Sequence, residues 1–235
     1  MTSQNSPGKQ KIMRYSTDGS PIPSRTQSPR RRGRCKGKAG YLIVMNTSLK
    51  IFIRRFVSLS DTELEYVASK FKTKTVKKNN YLLRPDSICK DFVFVQKGCL
   101  RLYYLQDGLE VCVWFAFQES SAIEIYSFIS EDPSNYFLQA IEDSEVLYLP
   151  KAELNKLYRH QPKMQEMMRN FWEAVILDLI NRFTALQKDS AEKRYLDLLS
   201  KPGYLQTIPQ KYLASFLGVT PTSLSRIRKK IIKDH

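Results

Sequence analysis

The spacing of hydrophobic residues divides the chain into four stretches. Residues 1–40 contain few apolar positions and are rich in Ser, Pro, Gly, Lys and Arg. Apolar residues recur at helical spacing over residues 49–71, alternate with a period of two over residues 73–150, and return to helical spacing over residues 151–199. Because a period of two indicates strands and a period near 3.6 indicates helices, this order predicts an α+β fold.

The middle stretch predicts short strands joined by tight turns. Residues 100–104 and 111–117 have strand-like patterns, and Gln106-Asp107-Gly108 between them is a turn signal. Strands that are separated by turns at intervals of about 8–12 residues, with no long helix between them, are typical of an antiparallel barrel or roll. We therefore expect an antiparallel β-roll within residues 45–150.

Residues 163–188 contain neither Pro nor Gly and predict one helix about 40 Å long. One strip of its apolar residues is spaced alternately by four and three positions, which is the seam pattern of a coiled coil. This seam consists of Trp172, Ile176, Leu179, Phe183 and Leu186. A second strip consists of Met164, Met168, Phe171 and Val175. Two strips indicate that the helix covers the roll and also meets a second copy of the chain; a single wide core face is the alternative.

The C-terminal end predicts two short helices joined by a tight turn. Residues 207–217 form the first helix, Gly218-Val219-Thr220 the turn, and residues 221–232 the second helix, with Thr220 as N-cap and Pro221 in the first turn. The faces of the second helix away from the apolar positions carry Thr222, Ser223, Ser225, Arg226 and Lys229. The arrangement predicts a helix-turn-helix whose second helix enters the major groove of DNA.

Both ends of the chain are basic. Residues 1–44 hold ten Lys and Arg against one Asp, residues 207–235 hold six against one Asp, and the stretch between is almost neutral. A polyanion is the expected partner, nucleic acid before membrane. We expect residues 1–44 to be a disordered basic extension and Met45 to be the native start. The sequence contains no run of about 18 apolar residues, so it predicts no transmembrane helix.

The chain resembles the Crp/Fnr superfamily of bacterial transcription regulators over residues 46–235. Residues 208–232 are similar to the family's helix-turn-helix without a gap, and the roll shares segments 95–101 and 140–146 and a hairpin at Gly108. The similarity is closest to a branch common in Bacteroidetes-type bacteria. It implies a cyclic-nucleotide-binding-type roll (a double-stranded β-helix), a long dimerisation helix and a C-terminal winged helix-turn-helix. It also implies a cytoplasmic homodimer that binds double-stranded DNA and contacts RNA polymerase.

The resemblance divides the chain into a sensor roll at residues 45–150, a linker and dimerisation helix at 151–188, and a DNA-binding unit at 189–235. We expect no wing after the second helix and therefore expect any wing to come from residues 204–208.

The resemblance also assigns roles to the DNA-binding residues. The base-reading positions fall on Pro221, Thr222 and Arg226, and an Arg there makes bidentate hydrogen bonds to guanine. Thr220 would offer a hydroxyl to a phosphate, while lysines add contacts that do not depend on sequence. The complete set of expected DNA contacts is Thr220, Pro221, Thr222, Ser223, Ser225, Arg226, Lys229, Lys230 and Lys211.

The roll departs from the family pattern where a cyclic nucleotide would bind. Family members use a Gly-Glu pair for the ribose and a later Arg for the cyclic phosphate. Here Glu124 is present, Ile123 replaces the Gly, and no Arg or Lys occurs between Arg101 and Lys151. Because losing one partner of a hydrogen-bonded charge pair costs about 2–5 kcal/mol, we predict no tight binding of cyclic AMP.

A different small-molecule effector is the first alternative to cyclic AMP. Its expected pocket residues are Glu124, Tyr126, Ser134, Asn135 and Tyr136. The other alternative is a roll with a filled interior, which would make the chain a constitutive DNA-binding protein.

The sequence contains no recognisable catalytic or metal-binding motif. Cys89, Cys99 and Cys112 stand singly on predicted strands, unlike the close pairs that bind zinc or iron–sulfur clusters, and are expected to be core thiols. His160 and His235 are far apart in the sequence. We expect no cofactor, no metal and no enzymatic activity. An RNA-binding role for the basic tail stays open, and so does a cupin-like enzyme, although the roll has no cluster of histidines.

Overall fold

The computed structural model describes residues 47–200 and 208–234. The predictions for residues 1–44 lie outside the described residues, and so does the segment expected to supply a wing, apart from Ile208. The elements are α1 (47–54), α2 (Asp61–Ala68), β1 (Lys72–Val76), β2 (Tyr81–Leu83), β3 (Asp91–Lys97), β4 (Cys99–Gln106), β5 (Leu109–Phe117), β6 (Ser121–Ala122), α3 (Ile125–Ser130), β7 (Phe137–Ala140), β8 (Ser144–Pro150), α4 (Lys151–His160), α5 (Lys163–Lys188), α6 (Ala191–Leu199), α7 (Gln210–Phe216) and α8 (Pro221–Asp234).

The strands of the described region form two antiparallel four-stranded sheets. Their orders are β1-β8-β3-β6 and β2-β7-β4-β5. With the helices before and after the sheets, this arrangement confirms the predicted α+β roll. No helix in residues 47–200 or 208–234 has the length and apolar character needed to cross a bilayer.

The core of the roll is an aromatic cluster closed by α5. The rings of Phe52 and Phe94 are 5.2 Å apart, and those of Phe92 and Phe171 are 5.3 Å apart. Met164, Met168 and Phe171 of α5 are buried in the same core. The second apolar strip of the long helix therefore covers the roll.

A second core joins the roll to the C-terminal helices. Its roll side comes from β4, β5 and Ile141, and its C-terminal side comes from α6, α7, α8 and the residues beside them. The buried members are Cys99, Tyr103, Cys112, Phe115, Ile141, Tyr195, Leu198, Ile208, Leu213, Ala214, Phe216, Leu217 and Leu224. Helix α7 thus packs directly on the β4–β5 ribbon.

The turn between β3 and β4 requires glycine. Gly98 has φ +94°, and a Cβ at this position would lie 2.3 Å from Ser144 Oγ. The Ser144 hydroxyl accepts a hydrogen bond from the Cys99 N–H at 3.2 Å. The close approach of β4 to β8 therefore depends on the missing side chain of Gly98.

Candidate nucleic-acid interface

Helices α7 and α8 form a compact helix-turn-helix. Ala214 is fully buried at the helix crossing. The chain reverses at Gly218, whose φ is +70°, and the Val219 N–H donates to the Ala214 carbonyl at 3.0 Å. Leu224 is fully buried and fixes α8 against α7. The angle between the two helices is therefore set by packing and by a left-handed glycine.

Thr220 caps the second helix. Its Oγ1 accepts a hydrogen bond from the Ser223 N–H at 3.1 Å and donates to Ser223 Oγ at 3.0 Å. This satisfies one of the backbone donors that a helix start leaves free. It also orients the N-terminal turn of α8 at the surface, where Pro221 and Thr222 are exposed.

The nine residues expected to contact DNA lie on α7, α8 and the residue before α8. Thr220, Pro221, Thr222, Arg226, Lys229, Lys230 and Lys211 are exposed, and Ser223 and Ser225 are partly buried. Among the ion pairs of residues 47–200 and 208–234, none involves Arg226 or Lys229. Both cations therefore project from the surface of α8 and carry charge that a phosphate or base can meet.

Two of the expected lysines are engaged with carboxylates of other elements. Lys211 Nζ lies 3.2 Å from Glu110 Oε2 on β5. Lys230 Nζ lies 2.8 Å from Glu192 Oε2 on α6. A phosphate that contacts either lysine must compete with that carboxylate, so both are weaker candidates for phosphate contact than Lys229.

Ser225 is held inside the motif rather than offered outward. Its hydroxyl donates to the Pro221 carbonyl at 3.0 Å and accepts from Gln210 Nε2 at 2.6 Å. Gln210 Nε2 also donates to the Pro221 carbonyl at 3.1 Å. Gln210 thus joins the start of α7 to the start of α8, a role that no local sequence pattern indicated.

Two arginines connect the long helix and α6 to the end of α7. Arg182 Nη2 donates to the Phe216 carbonyl at 3.2 Å, and its guanidinium lies 3.6 Å from the centre of the Phe216 ring. Arg194 Nη2 donates to the Leu217 carbonyl at 2.9 Å. Carbonyls at a helix end lack intrahelical partners and carry partial negative charge, so two cations are favourable there.

The seam of the long helix is mostly exposed. Ile176, Leu179, Phe183 and Leu186 are between 42% and 62% exposed. Trp172 is partly buried, with its ring 4.9 Å from that of Phe171. Four of the five seam positions therefore present apolar surface along one helix.

A cavity of about 250 Å³ lies between the roll and α5. The part of the chain that the structure describes gives it a predominantly apolar lining without Lys or Arg. The lining residues are Leu102, Val113, Trp114, Ser121, Ile123, Glu124, Ile125, Tyr136, Phe171, Trp172, Val175 and Leu179.

The structure brings only two of the five expected pocket residues to this cavity. Glu124 and Tyr136 line it. Tyr126 is 66% exposed, and Asn135 lines a second pocket, of about 440 Å³, that shares Tyr136 with the first. Ser134 is buried, and its hydroxyl accepts a hydrogen bond from the Tyr136 N–H at 3.0 Å. The five predicted residues are therefore not gathered at one site.

The carboxylate of Glu124 is committed to the backbone. Its two oxygens accept hydrogen bonds from the N–H groups of Tyr126 and Ser127, each at 3.0 Å, and cap α3. Burial, together with the nearby Glu124 charge, raises the pKa of Tyr136 above its usual value. Tyr136 therefore faces the cavity as a neutral hydroxyl.

The cysteines of the described region are buried. Burial raises the pKa of Cys89 to about 11 and that of Cys112 to about 12, and it raises the pKa of Cys99 as well. Such thiols behave as small apolar side chains. Among residues 47–200 and 208–234, no group of three or more His, Cys, Asp or Glu is placed to hold a metal ion.

Comparison with known proteins identifies the roll and the overall fold. Residues 73–161 match the cyclic nucleotide-binding domain family. FixK2 from Bradyrhizobium japonicum superposes with a TM-score of 0.58 at 17% identity, covering 70% of this chain and 85% of that one. The regulator CLP of Xanthomonas campestris, described as responsive to c-di-GMP, gives a TM-score of 0.59 at 17% identity, with 74% and 93% covered.

A third structure of the same kind is a putative transcriptional regulator of the Crp/Fnr family from Eubacterium rectale. Its TM-score is 0.57 at 17% identity, with 75% of this chain and 85% of that chain covered. No match was found among curated proteins. One of these three structures is described as a member of the Crp/Fnr family, and this chain has the fold that all three share.

Proposed function

We propose that this chain is a sequence-specific DNA-binding transcription regulator of the Crp/Fnr type that acts as a homodimer. The observation that carries the proposal is the surface of α8. A capped helix is held at a fixed angle by α7, and its outer face presents Thr222, Arg226 and Lys229. Such a helix fits a major groove, where its N-terminal residues reach base edges and its lysines meet phosphates.

The rest of the chain supports regulation rather than catalysis. The roll matches a domain family of ligand-binding type, and the exposed seam of α5 offers a surface to a second copy of the chain. A dimer would place two recognition helices on half-sites about 34 Å apart, one turn of DNA. As a regulator of this type it would act in the cytoplasm, have RNA polymerase as a partner and carry out no chemical reaction.

The roll would not respond to cyclic AMP. The cavity lining holds no cation for a cyclic phosphate, and both Glu124 oxygens already accept backbone hydrogen bonds. An apolar lining with one neutral tyrosine hydroxyl favours an uncharged molecule instead. We expect titration calorimetry with cyclic AMP to show no binding in the micromolar range; micromolar affinity would contradict this part of the proposal.

DNA binding is tested by fluorescence anisotropy with the full chain. The targets are fragments from upstream of its own gene, with scrambled DNA as the control, across a salt series. We expect one fragment to be preferred by about 10³ or more at physiological salt. Equal binding of all fragments, with or without added small molecules, would contradict sequence-specific recognition.

The variant Arg226→Ala tests whether Arg226 contacts a base or only adds positive charge that attracts the DNA phosphates. We expect it to cost about 1–3 kcal/mol on the preferred fragment and to relax the preference at one base position, with little change on scrambled DNA. Arg159→Ala is the matched control, because Arg159 is an exposed arginine on α4, outside the helix-turn-helix. Equal weakening of preferred and scrambled DNA by Arg226→Ala would mean that Arg226 contacts phosphate only.

A further inference from the structure

Arg101 is a buried cation at the junction between the roll and the helix-turn-helix. Its side chain is 1% exposed on β4. Nε and Nη2 donate to Gln139 Oε1 at 2.9 and 2.6 Å, and Nη1 and Nη2 donate to the two oxygens of Glu110 at 3.1 Å each. The hydrogen bonds from Arg101 to Glu110 are the main reason that the pKa of the Glu110 carboxyl lies below its usual value. All three guanidinium nitrogens of Arg101 therefore donate hydrogen bonds, and this geometry tolerates little displacement.

Helix α7 completes the surroundings of this cation. The centre of the Tyr212 ring lies 3.6 Å from the Arg101 guanidinium carbon, and that of Tyr103 on β4 lies 3.9 Å from it. Lys211 adds an ion pair to Glu110. The attraction between a cation and an aromatic ring is stronger when the pair is removed from water, so Tyr212 ties α7 to the roll through the buried Arg101.

Hydrogen bonds and ring contacts along β5 extend the same attachment. Ser215 Oγ accepts from the Cys112 N–H at 2.9 Å and donates to the Glu110 carbonyl at 3.1 Å. The rings of Phe115 and Phe216 are 5.1 Å apart. Helix α7 is thus bound to one face of the β4–β5 ribbon along its whole length.

The opposite face of the same ribbon lines the cavity. Leu102, Val113 and Trp114 are cavity residues, whereas Arg101 and Tyr103 on β4 point to α7. The pairing shifts register between Leu102 and Tyr103, where Val113 is the extra residue. A bulge bends a strand and makes this point of the ribbon sensitive to pressure from the cavity. Only one layer of backbone separates the cavity from the Arg101 junction.

We propose that the β4–β5 ribbon couples the cavity to the DNA-binding unit, with Arg101 and Tyr212 as the joint. Volume added on the cavity side displaces the ribbon, because a close-packed interior transmits strain. Displacement spoils the fork geometry of Arg101, and α7 is held less firmly on the roll. This route runs through β4 and β5 of one chain, and it begins at a cavity that Trp172 and Leu179 of the seam also line. Its regulatory meaning rests on the proposed function; the mechanical coupling does not.

The test measures hydrogen exchange of the α7 amides by mass spectrometry in the full chain without DNA. Tyr212→Leu removes the ring from the joint but keeps an apolar side chain, and we expect it to raise α7 exchange about tenfold. Val113→Phe adds volume on the cavity side of the ribbon and should raise α7 exchange severalfold. If its melting temperature shows that it does not fold, Val113→Leu takes its place. The matched control is Tyr66→Leu, since Tyr66 lies on α2 with Lys70 at 4.6 Å from its ring.

A variant that combines Val113→Phe with Tyr212→Leu tests whether the cavity acts on α7 through the joint. If Val113 acts through the joint, Val113→Phe adds little to α7 exchange once Tyr212→Leu is present. Additive effects would overturn the coupling, and unchanged exchange in Tyr212→Leu would show that the joint does not hold α7. The measurement needs no DNA. A negative result therefore leaves the Arg226 experiment untouched, and absence of specific DNA binding leaves the exchange result interpretable.

Discussion

The carboxylate of Glu124 accepts two backbone hydrogen bonds at the start of α3. The sequence predicts this residue as a ligand group, because the family uses a Glu in the matching segment. Its actual partners depend on where α3 begins, and α3 is only six residues long. A helix of six residues is too short to show a periodic pattern of hydrophobic residues, so the role of Glu124 as its N-cap cannot be predicted from the sequence.

Glu63 is a second carboxylate engaged with backbone, in the capping box of α2. It accepts from the Ser60 N–H at 2.7 Å and from Lys163 Nζ at 3.2 Å, and these bonds lower its pKa from 4.5 to about 2. Because the folded state binds this proton less tightly than the unfolded state, charged Glu63 stabilises the fold above pH 4.5. That stabilisation is lost as the pH falls from about 4.5 to about 2.

Glu63→Gln is expected to flatten this part of the stability profile. Urea unfolding at several pH values between 7 and 2.5 should show a smaller loss of unfolding free energy on acidification than in the unchanged protein. Gln still completes a capping box, so the helix start is kept. Glu65→Gln makes the same change two residues later, away from the cap, and controls for net charge. An unchanged acid profile in Glu63→Gln would show that the Ser60 and Lys163 bonds do not form in solution.

Several residues that organise the site contact partners far away in the sequence. Arg226 and Lys229 were predicted because helical spacing alone places them opposite the buried Leu224. Arg182 lies on α5, yet it bonds to the carbonyl of Phe216, 34 positions later. Arg101 meets Tyr212 across more than a hundred positions. Such contacts are products of tertiary packing, for which a single sequence contains no periodic signal.

At the scale of elements, the turn between α7 and α8 sets the orientation of α8, the proposed recognition helix. Gly218 has φ +70°, and a Cβ there would meet only Leu186 Cδ2, at 3.8 Å. A side chain at position 218 would therefore have room, and what the turn requires of this residue is a positive φ. The left-handed region costs about 1–2 kcal/mol for most residues but less for Asn, whose side chain bonds locally.

Gly218→Ala is expected to lower the free energy of unfolding by about 1–2 kcal/mol, and Gly218→Asn by less. Chemical denaturation measures both. The order of the two variants is the critical result, because Asn is the larger side chain. If Ala were tolerated better than Asn, crowding against Leu186 rather than φ would set the requirement at this turn.

Secondary structure was predictable where the hydrophobic period is strong. The pattern predicts β4, β5, α5 and the helix pair α7–α8, and all are present. Strand β1 was not predicted, because four of its five residues are exposed and its sequence alternates Lys with Thr. Its pairing with β8 places it in the sheet. Edge strands of this kind lack the buried face that makes alternation visible.

At the scale of the whole molecule, two sets of contacts connect the rest of the chain to the helix pair α7–α8, whose second helix is the proposed recognition helix. One runs through α5, whose Arg182 holds the end of α7. The other runs through the β4–β5 ribbon and Arg101. Both meet on α7, so under the proposed coupling a change at either the proposed dimer seam or the cavity would reach the same helix. Regulation of DNA binding would then depend on the balance between these two attachments.

The seam itself is tested by Phe183→Asp. Phe183 is 62% exposed in the single chain, so the substitution leaves the fold of one chain intact while placing a charge in the expected coiled-coil contact. Sedimentation velocity should show a dimer for the unchanged protein and a monomer for the variant. The monomer engages one half-site only, so it should lose most of its preference for the specific fragment while keeping salt-dependent binding to any DNA. Ile129→Asp is the matched control, because Ile129 is 61% exposed on α3, away from the seam. An intact dimer of Phe183→Asp would place the contact between copies on another surface.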